Sequence, residues 1–239
     1  MIFMSKEKKP IVSIIIPALN EEKHITACVK SLCKQSVPRS QYEIIVSDSS
    51  SDDDTVKLAK KAGADRVVTC KRHSAGFGRN FGAKHAKGEL LGFVDGDSVA
   101  GKEFVEGVIL ALRDKNGIAA TGPIRSSDGK YKFFLCWWSL QDHLSIPLHK
   151  PIFPGFNFAA RKKDFLAVGG MSEKDIVCED IEVAWKLQKR GKIVWEPKML
   201  VLTSTRRIQE KGIWCNVKNA WNFALKGKTE SWKEHRKDF

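Results

Sequence analysis

The sequence predicts an α/β protein with a Rossmann-like, mostly parallel sheet that is flanked by helices and followed by a short helical C-terminal extension. Two observations predict this class. In the first half of the chain, apolar, β-branched runs alternate with amphipathic helical stretches, which is the order of a parallel sheet with helices on its faces. One of these runs, residues 90–94, is apolar almost throughout and is therefore typical of a strand buried on both faces.

The first half is predicted to contain four strands and three helices. Asn20 is expected to cap the first helix, with Glu21 and Glu22 in its first turn, where the helix dipole favours acids. The apolar residues that follow recur at helical spacing. The predicted strands are residues 11–16, 42–46, 67–69 and 90–94, and the later helices are residues 55–62 and 79–86.

The second half is less regular. The aromatic-rich residues 130–148 allow no assignment, whereas a helix that begins at Asp180 is expected to end at Gly191, a residue type common at helix C-caps. Apolar spacing predicts helices at 104–112, 180–190 and 214–225, and strands at 118–121, 193–196 and 199–202.

Composition restricts the class of protein and its location. The 239 residues are 42% hydrophobic and 29% charged, as in globular proteins. No apolar run approaches the roughly 20 residues of a membrane span, and the N-terminus does not resemble a signal peptide. The six cysteines form no C-x-x-C pair, so we expect free thiols in a reducing compartment. These features predict a cytoplasmic protein, either soluble or peripheral to a membrane.

Polar residues follow three of the predicted strands, at the edge of the sheet where α/β proteins bind ligands. They are Pro17, Ala18, Asn20 and Glu21 after the first strand, Asp48 after the second, and Asp95, Gly96 and Asp97 after the fourth. Carboxylates accept hydrogen bonds from a base or ribose and also ligate divalent cations. Ordinary turns are the alternative, and for an isolated Asp-Gly-Asp that alternative is favoured. The net charge of +13 fits an anionic partner, whether a nucleotide, a phospholipid surface or a nucleic acid.

Arg79 follows Gly76 and Gly78 at the predicted start of the helix before the fourth strand. Glycine lets a backbone approach a phosphate, and arginine can bind phosphate through two N–H groups. A flexible turn with a surface arginine explains this segment equally well.

Taken together, these segments resemble family 2 glycosyltransferases, which have the GT-A fold. The match consists of P-x-x-N-E at 17–21, V-x-D-x-S-x-D at 46–52, R-N-x-G at 79–82, D-x-D at 95–97, V-G-G at 168–170 and E-D-x-E at 179–182. The resemblance implies a GT-A-like fold and an inverting transferase. It also implies a divalent metal, Mn²⁺ or Mg²⁺, and a nucleotide-diphosphate sugar, with a UDP-sugar as the first expectation and a GDP-sugar as the second.

The resemblance also implies roles for the polar residues. Asp48 would contact the base together with the turn at 17–21, Arg79 would contact base or phosphate, Asp95 would hold ribose or metal, and Asp97 would ligate the metal. The family's usual pair of acids after the second strand is here Ser47-Asp48, and its usual next Gly is Ser49. These departures leave the base preference open.

Glu179 and Asp180 are the implied catalytic pair. Asp180 would remove the proton of the acceptor hydroxyl, and Glu179 would orient the acceptor or that base. From the residues alone, both acids could merely stabilise the start of the helix. Arg206 and Arg207 follow the last predicted strand and could close over the diphosphate, although a basic surface loop is the alternative.

The resemblance also sets the predicted domain limits, which are a flexible segment at 1–10, a GT-A domain at 11–208 and a basic, Trp-containing extension at 209–239. Within the domain, 11–100 would bind the nucleotide and 101–208 the acceptor. The basic, Trp-containing tail predicts contact with an anionic membrane surface and a lipid-linked acceptor. The aromatic run at 133–138 is interpreted as a buried helix, an acceptor platform or a membrane anchor.

Three other classes are less favoured. A nucleotidyltransferase usually has a Gly-rich basic loop after the first strand, whereas this loop is acidic and lacks Gly. In a nucleic-acid-binding protein, the acids at the strand ends would repel phosphates, so a nucleic acid is not the expected partner. A transferase fold without catalysis is disfavoured because all four acids of the D-x-D and E-D segments are present.

Overall fold

A computed structural model describes residues 9–71, 74–149, 151–152, 154–173 and 179–212. Its strands are β1 (Val12–Ala18), β2 (Tyr42–Asp48), β3 (Arg66–Thr69), β4 (Leu90–Phe93), β5 (Ser98–Ala100), β6 (Ala119–Thr121), β7 (Ile124–Ser126), β8 (Phe158–Arg161), β9 (Ile193–Trp195) and β10 (Val201–Thr203). Its α-helices are α1 (Ile25–Leu32), α2 (Thr55–Ala62), α3 (Ala75–His85), α4 (Phe104–Ile109), α5 (Lys132–Ser145), α6 (Lys162–Ala167), α7 (Glu179–Gln188) and α8 (Arg206–Lys211).

Seven strands form the main sheet in the order β3-β2-β1-β4-β8-β6-β9. The strands β1 to β4 are parallel, β8 runs antiparallel to both of its neighbours, and β6 pairs in parallel with β9. The prediction of a mostly parallel sheet is confirmed. A smaller sheet, β5-β10-β7, brings the segment after β4 next to the end of β10.

The strand β1 lies at the centre of the parallel part and is buried on both faces. Ile14 and Ile16 pack into one apolar layer with α1 and α4, and Ile15 packs into the other with Phe93. In the register, Ala18 lies opposite Asp48, and Ile15 lies opposite Phe93. The loops after β1, β2 and β4 therefore leave the sheet at one edge, as predicted.

The predicted cap of the first helix is wrong. The helix α1 begins at Ile25, so Asn20, Glu21 and Glu22 precede it. Asn20 has a left-handed backbone with φ of 54°, a conformation that Asn tolerates better than most residues. Its side-chain oxygen accepts a hydrogen bond from the backbone N–H of Asp52 at 2.9 Å, which ties the loop after β1 to the loop after β2 instead.

The helix α3 begins at Ala75, four residues before the predicted start, and Ser74 caps it by accepting a hydrogen bond from the N–H of Phe77. Gly76 and Gly78 therefore lie inside the helix rather than in a loop. A Cβ at Gly76 would lie 2.3 Å from the carbonyl oxygen of Ser172, so this close approach requires glycine.

Five of the short elements were not predicted, because strands of three or four residues and helices of six residues carry too little periodicity. They are the strands β5, β7 and β8 and the helices α6 and α8. The unassigned segment at 130–148 contains α5, and the helix predicted at 104–112 is α4, which continues as a wide helical turn over Leu110–Asp114.

The predicted helix at 214–225 and most of the extension at 209–239 lie outside the described residues. Within the described residues, no helix is long and apolar enough to cross a membrane.

Candidate active site

The loops after β1 and β2 form one wall of the candidate site. Asp48 is almost fully buried and accepts a hydrogen bond from the N–H of Ser51 at 3.1 Å, so its carboxylate shapes its own loop. The carbonyl of Ala18 accepts a hydrogen bond from the N–H of Ser49 at 2.9 Å. Pro17 lies against α3, where a Cβ at Gly78 would be 3.4 Å from the Pro17 Cβ. The structure thus brings together the residues predicted to hold a base.

Next to this wall, Glu21 and Asp97, which lie on two different loops, contact the same arginine, Arg206. The Nη2 of Arg206 lies 3.2 Å from a Glu21 oxygen and 3.6 Å from an Asp97 oxygen. Gly96 lies against Glu21, since a Cβ there would be 3.3 Å from the Glu21 Cγ. Arg206 is therefore placed beside the D-x-D segment, whereas the side chain of Arg207 lies outside what the structure describes.

A buried arginine connects the D-x-D segment to the E-D segment. Arg79 on α3 donates through Nη2 to Asp95 at 2.7 Å and through Nη1 to Glu179 at 3.5 Å. Burial lowers the pKa of Arg79, but the charges of Asp95, Glu179 and Asp180 outweigh burial and raise it, so the guanidinium stays ionised. The alternative of a surface arginine on a flexible turn is therefore wrong, because helix α3 places this side chain in the interior.

Asp180 is held at the start of α7 by backbone donors. One carboxylate oxygen accepts from the N–H of Gly155 at 2.9 Å, and the other accepts from the N–H of Ile181 at 2.9 Å. Burial raises the pKa of Asp180, although these two hydrogen bonds and Arg79 oppose the shift. The result is a fixed carboxylate that is more basic than an exposed aspartate.

Glu179 lies between Arg79 and Asp180. Burial, followed by the charge of Asp180, raises the pKa of Glu179 to about 7, while Arg79 opposes the shift. Two adjacent, partly buried acids with one arginine make a site where a proton can be held near neutral pH.

Sequence reasoning missed two residues of this site. Gly155 donates to Asp180 and also leaves room for Arg79, because a Cβ at Gly155 would lie 2.9 Å from the guanidinium carbon. Asp142 on α5 is fully buried, and apart from the indole of Trp138 neither of its oxygens has a hydrogen-bond partner within the described part of the chain. Burial and then the charge of Asp180 raise its pKa well above the ordinary value, with Trp138 opposing the shift.

A periodic signal for Asp142 was present in the sequence. Leu135, Ser139, Asp142 and Ser145 recur at helical spacing and form the buried face of α5. A carboxylate in such a buried stripe is unusual, and buried titratable groups concentrate at functional sites.

The acids after β4 suit a divalent cation that arrives with a phosphate ligand. Among the residues that the structure describes, no group of three or more His, Cys, Asp or Glu side chains could hold a metal ion. Mg²⁺ is commonly bound through one or two carboxylates, with substrate phosphates and water completing its ligands. Asp97 and Glu21 already flank a cationic group, the guanidinium of Arg206. Asp95 and Asp97 therefore fit the implied metal.

Solved structures place this architecture in the class of GT-A proteins. The chain aligns with a mannosyltransferase from Pyrobaculum calidifontis in complex with GDP-Man and Mn²⁺ with a TM-score of 0.67, at 22% identity, over 81% of this chain and 56% of that one. It aligns with Staphylococcus aureus TarS in complex with UDP-GlcNAc with a TM-score of 0.69, at 21% identity, over 82% of this chain and 58% of that one. At these identities, the likeness shows the fold alone.

The sequence also matches the profile of glycosyl transferase family 2 over residues 13–169, and the chain belongs to this family. The profile covers β1 through α6, including the segments that carry Asp48, Arg79, Asp95 and Asp97. The family resemblance drawn from the motifs is therefore confirmed.

Curated relatives match parts of the chain. A poly(ribitol-phosphate) β-N-acetylglucosaminyltransferase, TarS of Staphylococcus aureus, is 38% identical over 96 residues, which are 38% of this chain and 17% of the relative. Glycosyltransferase AglE of Haloferax volcanii is 30% identical over 102 residues, 41% of this chain and 34% of the relative. The probable glycosyltransferase YdaM of Bacillus subtilis is 28% identical over 200 residues, 76% of this chain and 47% of the relative. The chain thus spans less than half the length of these relatives.

Proposed function

We propose that this protein is an inverting glycosyltransferase that moves a sugar from a nucleotide-diphosphate sugar to an acceptor hydroxyl or phosphate. One observation carries the proposal. A partly buried carboxylate, Asp180, is fixed by two backbone N–H groups and lies within one charge network with Arg79 and the D-x-D segment. This network joins a candidate base to a candidate donor site in a chain that belongs to family 2.

The proposed reaction uses Asp180 as general base. Its carboxylate takes the proton of the acceptor hydroxyl, the acceptor oxygen attacks the anomeric carbon, and the bond from that carbon to the diphosphate oxygen breaks with inversion. The nucleoside diphosphate leaves with the electron pair of that bond. Burial favours the base because it raises the pKa of Asp180, and its two hydrogen bonds hold the carboxylate in one orientation.

On the donor side, Asp48 and the turn at 17–21 would contact the base, and the Asp95 oxygen not used by Arg79 would accept from the ribose. Asp97, with Asp95, would hold Mn²⁺ or Mg²⁺, which would neutralise charge on the departing diphosphate. Arg206 is close enough to Asp97 to contact the same diphosphate, at 3.6 Å between its Nη2 and the carboxylate. Arg79 would act by holding Asp95 and Glu179 in place, or by contacting the donor directly.

The complexes of the structural neighbours with UDP-GlcNAc and with GDP-Man and Mn²⁺ support a nucleotide-sugar donor of either base. We also propose a cytoplasmic location at the inner face of a membrane and a lipid-linked acceptor, because the chain beyond Gly212 is basic and contains Trp.

Thermal-shift titrations against UDP, GDP, dTDP and CDP, with and without Mn²⁺ or Mg²⁺, test the donor part of the proposal. A ligand that binds only the folded state raises the melting temperature with concentration. We expect a metal-dependent shift with UDP or GDP. The absence of a shift with all four nucleotides would contradict the proposed donor site.

A further inference from the structure

The helix α5 presents an apolar stripe to solvent. Phe133 is 94% exposed, Trp137 46%, Leu140 54% and Leu144 52%, and their spacing of three or four residues places them on one face of the helix. Leu148, just beyond the helix, is 73% exposed. Isolated exposed leucines are ordinary, but a contiguous apolar row over a whole helix marks an interaction surface.

The opposite face of α5 is already packed. Leu135 contacts Ile124 and Ile208 in a small apolar cluster, and the hydroxyl oxygen of Ser139 accepts a hydrogen bond from the N–H of Ile124 at 3.2 Å. Asp142 on this inner face is buried near Asp180. Within the described residues, the packing of α5 on the core therefore uses its inner face and not the apolar stripe. The same helix carries Asp142, which lies near the candidate base Asp180.

The charge around the stripe selects the kind of partner. The exposed residues of α5 include Lys132 but no carboxylate, and the exposed Lys130 precedes the helix. The nearby Asp128 is ionised, since hydrogen bonds from Thr205 and Ser126 hold its pKa at about 2, and its charge offsets part of the charge of the two lysines. An apolar helical face with basic residues at its margin fits the boundary between the head groups and acyl chains of an anionic bilayer.

We propose that the apolar stripe of α5, formed by Phe133, Trp137, Leu140 and Leu144, docks this protein on an anionic lipid surface. The helix would lie in the plane of the interface with its apolar side chains below the phosphate level and Lys130 and Lys132 at that level. The docking itself does not depend on catalysis. Its consequence for the acceptor, which would be held at the bilayer next to Asp180, rests on the proposed function.

Co-sedimentation of the full-length protein with vesicles tests the proposal. The vesicles are phosphatidylcholine alone or with phosphatidylglycerol, and the variant is Leu140→Gln with Leu144→Gln. Glutamine is a good helix former, so the helix is preserved while the stripe is interrupted. The matched control is Leu166→Gln, at an exposed leucine of α6 outside the stripe. We expect the parent and the control to bind anionic vesicles, the double variant to bind about tenfold less, and binding to weaken as salt rises.

Three results would overturn the proposal. The first is that the parent does not co-sediment with anionic vesicles. The double variant could bind as the parent does, which would assign binding to another surface such as the tail. The parent could instead form a dimer that the double variant does not form, as measured by sedimentation equilibrium, with no vesicle binding; the stripe would then be a contact between copies. Nucleotide thermal shifts on the same proteins separate the two proposals, because vesicle binding without any nucleotide shift would contradict only the proposed function.

Discussion

Arg79 donates a hydrogen bond to Asp95 across 2.7 Å in a place where the arginine side chain is only 4% exposed. The first residue belongs to α3, and the second follows β4, so the pair joins a helix to the end of a central strand. The same guanidinium reaches Glu179. One cation therefore holds together the two acidic segments on which the proposed function depends.

Replacing Arg79 with alanine would leave Asp95 and Glu179 without their cation in a buried site. Removing one partner of a buried pair costs about 3–5 kcal/mol, and we expect Arg79→Ala to lower the free energy of unfolding by that amount. Urea unfolding measures it. The control is Arg113→Ala, whose pair with Glu89 is 3.7 Å long and about half exposed, and which should cost less than about 1 kcal/mol. Equal losses in the two variants would contradict the buried-pair account.

Gly155→Ala would place a methyl group 2.9 Å from the guanidinium carbon of Arg79. That guanidinium cannot move away without weakening its bond to Asp95, so we expect a loss of about 1–3 kcal/mol in the free energy of unfolding, as for overpacking in a core. The matched control is Gly78→Ala, where the nearest atom is 3.4 Å away and the backbone is helical. A Gly155→Ala protein as stable as the Gly78→Ala protein would show that Arg79 relaxes freely.

The raised pKa of Glu179 predicts a pH-dependent stability. Between its ordinary value of 4.5 and about 7, the unfolded chain releases this proton while the folded protein keeps it. Glu179 therefore contributes a stability that is lost as pH rises through about 7. The glutamine in Glu179→Gln cannot ionise. The melting temperature of this variant minus that of the parent should therefore rise between pH 5 and pH 8, by on the order of a few degrees.

Glu182→Gln is the control for that measurement, because Glu182 lies on the same helix, is partly exposed and pairs with Lys186 at 2.6 Å. Its difference from the parent should stay flat over the same pH range. If the Glu179→Gln difference is equally flat, then burial does not hold the proton on Glu179.

Asp97→Asn should separate metal-dependent from metal-independent nucleotide binding. An amide is a much weaker ligand than a carboxylate for a hard cation, so we expect the Mn²⁺-dependent part of the nucleotide thermal shift to disappear. Asp54→Asn is the control, since Asp54 is exposed and pairs only with Lys57 among the described contacts at 3.3 Å. A full Mn²⁺ response in Asp97→Asn would remove Asp97 from the proposed metal site.

The sequence predicted the strands that carry the site because they are buried on both faces and therefore continuously apolar. The first and second strands and the strand before Asp95 were located to within about two residues, and their common edge followed from the parallel order. The failures have physical causes. Asn20 has the side chain of a helix cap, but its oxygen is used by Asp52 across the loop.

Contacts between residues far apart in the sequence were the other feature that could not be predicted. The two partners of Arg79, Asp95 and Glu179, are 16 and 100 residues away in sequence, so local pattern could not distinguish a buried arginine from a surface one. The role of Gly155 depends on the close approach of α3, which no local pattern encodes. Asp142 did carry a local signal, its place in a helical stripe, but its proximity to Asp180 exists only in the folded protein.

The central claim is that Asp180 is the general base, and the most direct measurement compares turnover and nucleotide binding in Asp180→Asn. The amide can accept one hydrogen bond but cannot take a proton, so we expect turnover to fall by about 10²- to 10⁴-fold. Donor nucleotide affinity should stay within about threefold of the parent, because Asp180 is not among the residues proposed to contact the donor. An Asp180→Asn protein that turns over at the parent rate would contradict the account.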